Sequence, residues 1–168
     1  MEKQEQLIAA LMDIYGKTNR LNWSRMQESL GDYKSSEVHY IEYIGKHADC
    51  NVTELARAFY MTSGAISKLS KKLLEKGVIE SYRKPENKKE IYFRLTAQGQ
   101  TVYDVHAQLH RGFQARDAAV FAQLSDAQFQ MMLAFLEKYS AHLDAAFAEQ
   151  GGVTQAPGHG TPCPYKGV

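Results

Sequence analysis

The sequence predicts a mainly α-helical protein with a small β wing, and three observations predict it. Residues 51–76 hold two short amphipathic segments with a tight turn between them. Two β-prone runs, 78–82 and 91–95, follow at once around a basic turn. Long segments of helical periodicity flank this unit on both sides. Together they spell a winged helix-turn-helix, a shape that places one helix in a DNA groove.

The elements follow in order. Leu7, Ile8, Leu11, Ile14 and Tyr15 recur at helical spacing and form one apolar stripe, and Gly31-Asp32 breaks that helix. Val38, Ile41, Tyr43 and Ile44 mark a second helix, with His39 among them. Asn51 caps the third, with Glu54 at the capping-box position and Leu55, Ala56 and Phe59 inward. Thr62 caps the fourth, which runs to about Lys76 and ends at Gly77 in the left-handed position. Ile66, Leu69 and Leu73 share its inner side; Gly64, Lys68 and Lys71, flanked by Ser67 and Lys72, face outward. Pro85, Glu86, Asn87 and Lys88 read as the turn between the strands. Thr96 opens a long helix through about Phe121, and Ser125, with Gln128 three residues on, caps a last one to about Gln150. The Gly/Pro-rich tail, 151–168, reads as disordered.

Composition narrows the function classes. At 168 residues the chain is long enough for one domain with a real core. No apolar run approaches a bilayer span, and the opening MEKQEQLIAAL is too polar for a signal peptide, so a cytoplasmic protein without membrane contact is expected. Cys50 and Cys163 cannot make a disulfide framework. The net charge is +1, yet residues 52–95 carry ten Lys/Arg against five acids. A basic segment on an acidic body is the footprint of a surface that faces phosphates. No Ser/His/Asp order, phosphate loop or carboxylate pair points to an enzyme. A metallohydrolase built on histidines lacks a nameable base or cleft, and Cys50, beside Asp49, is poorly placed for redox sensing.

Val120, Phe121, Leu124, Met131, Met132, Phe135, Leu136, Tyr139, Leu143 and Phe147 supply more apolar surface than a lone winged helix needs. A two-fold homodimer joined through residues 1–34 and 100–150 would bury it, leaving 35–99 as the DNA-binding unit. Two such units reach successive major grooves ~34 Å apart, which implies a pseudo-palindromic double-stranded operator.

The run VTELARAFYMTSGAISKLSKKLLEKGVIE, the charged wing through Lys89 and the LTAQG at 95–99 resemble the MarR family of transcriptional regulators. The resemblance covers roughly residues 5–148 and implies an interlocked homodimer, usually a repressor. It places Thr62, Ser63, Ser67, Lys68, Lys71 and Lys72 at the major groove, with Arg83, Lys84, Lys88 and Lys89 on the wing. Family wings carry an arginine at the tip; here the tip is Pro85-Glu86-Asn87-Lys88-Lys89-Glu90. Lysine keeps the charge but lacks the planar fork, so this wing is expected to hold phosphates rather than read bases.

His106 and His110 lie four apart, a spacing that lets two imidazoles on one helical face chelate one metal. Solvated histidines share that spacing, so the residues alone leave both roles open. The positions of His39, His106 and His110 also resemble the zinc-sensing, zinc-uptake-repressing branch of the MarR family. That branch implies zinc, or another divalent transition metal, as co-repressor. Its carboxylate ligand on the first helix falls at Leu21 here, with Glu28 the nearest acid. Its second site needs acids where Val38 and Val105 stand, so one site at most is expected. The alternative is a regulator that answers a phenolic or drug-like ligand in a cleft lined by Trp23, Tyr33, Tyr40 and Tyr43. His47 and His142 read as surface residues, and His159 and Cys163 as tail residues.

Overall fold

A computed structural model describes residues 2–149; the expected tail lies outside them. The elements are α1 (Lys3–Leu30), α2 (Ser35–Lys46), β1 (Cys50–Asn51), α3 (Val52–Ala58), α4 (Ser63–Glu75), β2 (Ile79–Lys84), β3 (Asn87–Leu95), α5 (Ala97–Phe121) and α6 (Asp126–Glu149). The mainly helical architecture with its small wing is the expected one. Asn51, Thr62 and Thr96 cap α3, α4 and α5 by accepting from Glu54, Ala65 and Gly99 backbone N–H. Ser125 and Gln128 exchange both capping-box bonds ahead of α6.

Helix α4 ends on Gly77 at φ +70, where Gly77 N–H donates to Leu74 and Val78 N–H to Leu73. These two reverse bonds satisfy carbonyls that a helix end otherwise leaves open. The chain then enters the wing, and the LTAQG run closes it. Thr96 Oγ1 donates to the Gly77 carbonyl, and a Cβ at Gly99 would sit 1.9 Å from the Val78 carbonyl oxygen. Only glycine lets α5 start against the strand.

The sheet is antiparallel in the order β1-β3-β2, with Cys50 opposite Phe93 and Ile79 opposite Leu95. Two details differ from expectation. A third strand, β1, joins the wing; two residues are too few for period-two alternation to show. The turn is Pro85-Glu86 alone, because Asn87 pairs with Lys84 across the hairpin. The Asn87 side chain accepts from the backbone of Lys89 and Glu90, so it begins the strand instead of loosening the loop.

Helix α2 lies at the centre. Val38, Tyr40, Ile41 and Ile44 are buried against Leu55, Ile66, Leu73 and Val102 of the helices around it. Stepping ~100° per residue, Glu37 and Tyr40 share one side of α2, and His39 and Glu42 lie roughly opposite. The first pair grips α4. Glu37 is 1% exposed, and its carboxylate takes Lys72 Nζ at 2.6 Å, Lys76 Nζ at 2.9 Å and the Lys34 backbone N–H at 2.9 Å. Burial opposes its ionisation, but these donors outweigh burial and hold the carboxyl below its ordinary range. Tyr40 adds a buried hydroxyl bond to Ser70, which passes its own proton to the Ile66 carbonyl.

Helix α6 buries no residue, and Met131, Met132, Phe135, Leu136 and Phe147 are each at least two-fifths exposed. Met12, Leu21 and Trp23 of α1 are likewise exposed. At ~1.5–3 kcal/mol per buried large apolar side chain, this surface calls for a cover. One intramolecular anchor stands out: Tyr60, at φ 51 in the turn between α3 and α4, donates to Asp144 at 2.5 Å and packs on Phe147.

Replacing Glu37 with Gln is expected to cost about 2 kcal/mol of unfolding free energy, since the charge that both lysines meet is lost from a buried place. Lys71→Gln, which removes only an exposed 3.9 Å pair with Glu75, should stay within about 0.5 kcal/mol. Denaturant unfolding at matched protein concentration checks this; equal losses would remove the buried carboxylate's special standing.

Candidate DNA-binding face and metal centre

The outer side of α4 presents Thr62, Ser63, Ser67, Lys68, Lys71 and Lys72 to solvent. The structure divides these residues by what else they hold. Ser67 Oγ donates to the Ser63 carbonyl, which leaves its lone pairs outward. Lys68 is exposed, and Lys71 has only a distant exposed partner. Lys72 is half-exposed and already committed to Glu37. Its charge supports the helix from the body side as well as from any phosphate side.

The wing divides similarly. Arg83 donates from Nη1 to the Lys88 carbonyl at 2.7 Å, bracing the hairpin. Lys84 pairs with Asp49 at 2.6 Å and lies over the Tyr92 ring. Lys88 and Lys89 point into solvent next to the Pro85-Glu86 turn. Lys68, Lys71, Lys88 and Lys89 are therefore the cations most available to phosphates.

The three sequence-selected histidines converge between α2 and α5. His106 is 1% exposed, and its ring lies 4.3 Å from that of His110 and 5.6 Å from that of His39. The Nε2 atoms of His106 and His110 face one another at 2.9 Å. Glu42, three residues after His39, joins them. His39, Glu42 and His106 each bring one ligand atom to within 4.8 Å of the others. Glu42 Oε1 takes Lys46 Nζ at 2.8 Å, while Oε2 stands 3.6 Å from His106 Nδ1.

Burial decides the protonation state. It pushes His106 down to about 4, with the nearby Glu42 carboxylate opposing and the neighbouring histidines adding to the fall. His39 and His110 move down for the same first reason. Burial would raise Glu42, but Lys46 and the histidines outweigh it and keep the carboxyl below its usual range. At neutral pH the site thus holds neutral imidazoles and a carboxylate, the forms that bind a divalent metal. Zinc–nitrogen bonds of ~2.0–2.1 Å put two ligands of a tetrahedral site roughly 3.3 Å apart. The His106 and His110 Nε2 atoms stand near that spacing at 2.9 Å, and a set of imidazoles beside a carboxylate is donor chemistry that fits such an ion.

The fold and its two sites can be set beside known proteins. A family model described as "MarR family" matches residues 34–91. The HTH-type transcriptional regulator YhjH of Bacillus subtilis (strain 168), described as uncharacterized, is 31% identical over 126 residues, covering 74% of this chain and 69% of the relative. The chain belongs to the MarR family of transcriptional regulators. A second B. subtilis relative, the HTH-type transcriptional regulator PchR, is 28% identical over 149 residues, 80% of this chain and 88% of its own length. Among solved structures, Streptococcus pneumoniae FabT in complex with DNA superposes with a TM-score of 0.73 at 20% identity, over 86% of this chain and 99% of that one. That likeness is one of fold.

As a MarR-type regulator the protein is a DNA-binding transcription factor and not an enzyme. No described helix is long and apolar enough to cross a membrane. Glu28 is exposed on α1 and is not part of the buried cluster, and Leu21 is 60% exposed. Glu42 was not singled out, although its i, i+3 relation to His39 was a readable signal. His47 is half-buried, stacked on Tyr43 at 4.0 Å. The four aromatics considered for an organic ligand do not share a cleft. Tyr40 is buried on Phe59, Tyr33 lies under Lys76, and Trp23 is in solvent. The described groove, about 600 Å³ between α1 and α5, is lined by Arg25, Ser29, Gln108 and Arg111 among others. His159 and Cys163 fall outside the described residues.

The depressed histidines make a pH prediction for metal-free protein. A folded value below the unfolded one means the unfolded chain holds more protons in between, so stability falls as pH falls. For His106 the window runs from about 6.5 down to about 4 and corresponds to roughly 3 kcal/mol. Glu37 and Glu42, held low, add to the loss below about 4.5. Chemical unfolding across this range should show the decline, and His106→Gln should flatten it between pH 6 and 5. An unchanged slope in the variant contradicts the assignment.

Proposed function

We propose that the protein is a cytoplasmic homodimeric repressor of the MarR type that responds to zinc, or a similar divalent transition metal, through His39, His106 and His110. The observation that carries this reading is the convergence of His39 on His106 and His110, distant from it in sequence, at one buried place with a carboxylate beside them. The Nε2 atoms of His106 and His110 face one another at 2.9 Å, and the His39 ring lies 5.6 Å from that of His106.

A bound metal supplies a fixed positive centre that holds α2 and α5 at one separation. The protein's own residues carry that constraint onward. His39 and Glu42 stand on one side of α2; Glu37 and Tyr40, on the other, hold Lys72, Lys76 and Ser70 of the recognition helix. Fixing α2 against the long helix of the dimer body therefore biases where α4 points. The effect on DNA equals the difference in metal affinity between the DNA-competent and other lobe positions. The exposed apolar faces of α1 and α6 supply the dimer that lets two recognition helices meet a pseudo-palindromic operator. Lys68, Lys71, Lys88 and Lys89, all exposed, supply salt-sensitive phosphate contacts in this reading, and exposed Thr62, Ser63 and Ser67 are its candidates for base contact. If the metal is a co-repressor, metal-uptake genes are the fitting targets.

A second reading is a regulator of the same type that answers an organic anion, and the groove with Arg25 and Arg111 favours it. The two readings separate in one titration. Chelator-treated protein is titrated onto a duplex operator, selected from a random DNA pool, with and without zinc at fixed salt. Zinc is expected to tighten binding by between 5- and 150-fold, the usual span of such couplings, and His106→Ala/His110→Ala should abolish the gain. Equal binding with and without metal would sink the metal reading and leave the groove.

A further inference from the structure

Resting on the metal-responsive reading, we infer that Glu42 is a positioning residue for the metal centre: it fixes the tautomer of His106, so that the Nε2 lone pair of His106 is turned toward His110. The argument starts from proton placement. A neutral imidazole has one N–H and one lone pair. His106 is 1% exposed, and an imidazole that is to bind a metal is neutral. Its Nδ1 faces the Glu42 carboxylate and its Nε2 faces His110 Nε2. If the proton sat on Nε2, the Nδ1 lone pair would face an ionised carboxylate in a water-poor place, which is repulsive. With the proton on Nδ1, the same pair attracts, and Nε2 is left as the acceptor.

The surrounding contacts fit that role. Lys46 holds Glu42 Oε1 at 2.8 Å, so the carboxylate is ionised and its second oxygen, Oε2, is directed at the ring. The Nδ1···Oε2 separation of 3.6 Å is longer than a hydrogen bond, and Nδ1 makes no hydrogen bond among the described residues. Closing the gap to the ~2.7–2.9 Å of a charge-assisted bond needs only a small rotation. Metal-ligating histidines ordinarily hand their other N–H to a carboxylate in this way, which sets ring orientation and raises ligand basicity. The 2.9 Å contact between the two Nε2 atoms then has His110 as donor to His106. The Nε2 atoms of His106 and His110 would hold an ion there once the His110 proton moves to its own Nδ1.

The test pairs two readouts on the full chain, with Glu42→Gln, His106→Gln and wild type. The first is the ¹⁵N shift pattern of His106 in metal-free protein, which reports the tautomer. The second is zinc affinity, by competition with a chromophoric chelator, together with the visible spectrum of the cobalt form, which reports ligand number. Wild type should show the Nδ1–H form and bind zinc. Glu42→Gln should lose that tautomer and bind 10- to 100-fold more weakly, with an unchanged cobalt spectrum. Wild-type tautomer and affinity in Glu42→Gln would overturn the inference. So would a cobalt spectrum showing one ligand fewer, which would make Glu42 a ligand. Wild type that carries the Nδ1–H tautomer but binds no zinc leaves the proton placement intact and overturns the metal reading beneath it. His106→Gln must lose zinc binding in either case. Matching far-ultraviolet spectra and unfolding midpoints keep the comparison free of misfolding.

Discussion

Helix α2 buries two carboxylates within twelve residues, and the rest of the structure is arranged around making that tolerable. An unpaired carboxylate in such a place costs several kcal/mol. Glu37 is met by Lys72 of α4, by Lys76 at the end of that helix and by the Lys34 backbone N–H at the start of its own helix. Glu42 is met by Lys46 from the next turn and faces His106 from α5. Each charge therefore ties α2 to a different neighbour. The recognition helix cannot shift far without uncovering Glu37. Nor can α5 shift far without changing the surroundings of Glu42.

This arrangement explains why some of the basic residues do double work. Lys72 belongs to the outward side of α4 by helical periodicity, yet its ammonium group reaches back to α2. Lys84 belongs to the basic wing, yet it closes on Asp49 at the approach to β1. Positive charge near DNA is thus partly spent on holding the recognition helix and the wing to the body. Lysine suits this task, since its stem is long and its charge compact. The fully outward cations are fewer than the sequence count implies.

Much of this was legible in the sequence, and what was not has physical reasons. Caps at Asn51, Thr62, Thr96 and Ser125 and the left-handed stop at Gly77 were readable because each is a local bond between near neighbours. The inner faces of α3 and α4 were readable from period. Strand β1 was not, because two residues make no pattern and its partner Phe93 lies some forty positions on. The three histidines could be chosen from spacing and resemblance, but their convergence depends on how α2 packs on α5. Glu42 could be picked out only by its spacing to His39; the packing of α5 buries it. Packing also buries Glu37, whose partners lie 35 and 39 residues away. The aromatics Trp23, Tyr33, Tyr40 and Tyr43 show the converse. They are near in sequence, yet only Tyr40 and Tyr43 share a neighbour, Phe59, while Tyr33 lies under Lys76 and Trp23 is exposed.

The central claim is that the state of the α2–α5 site decides how the two recognition helices are held. The most direct measurement is the distance distribution between spin labels on Ser67→Cys in the dimer, with Cys163→Ser as background. Cys50 can stay, since it is buried and its thiol is pushed up to about 12, which leaves it unreactive. The account predicts a broad distribution in chelator-treated protein that narrows with zinc toward the ~34 Å spacing of successive major grooves, and no narrowing in His106→Gln. A distribution that zinc leaves unchanged, in protein shown to bind it, would contradict the claim.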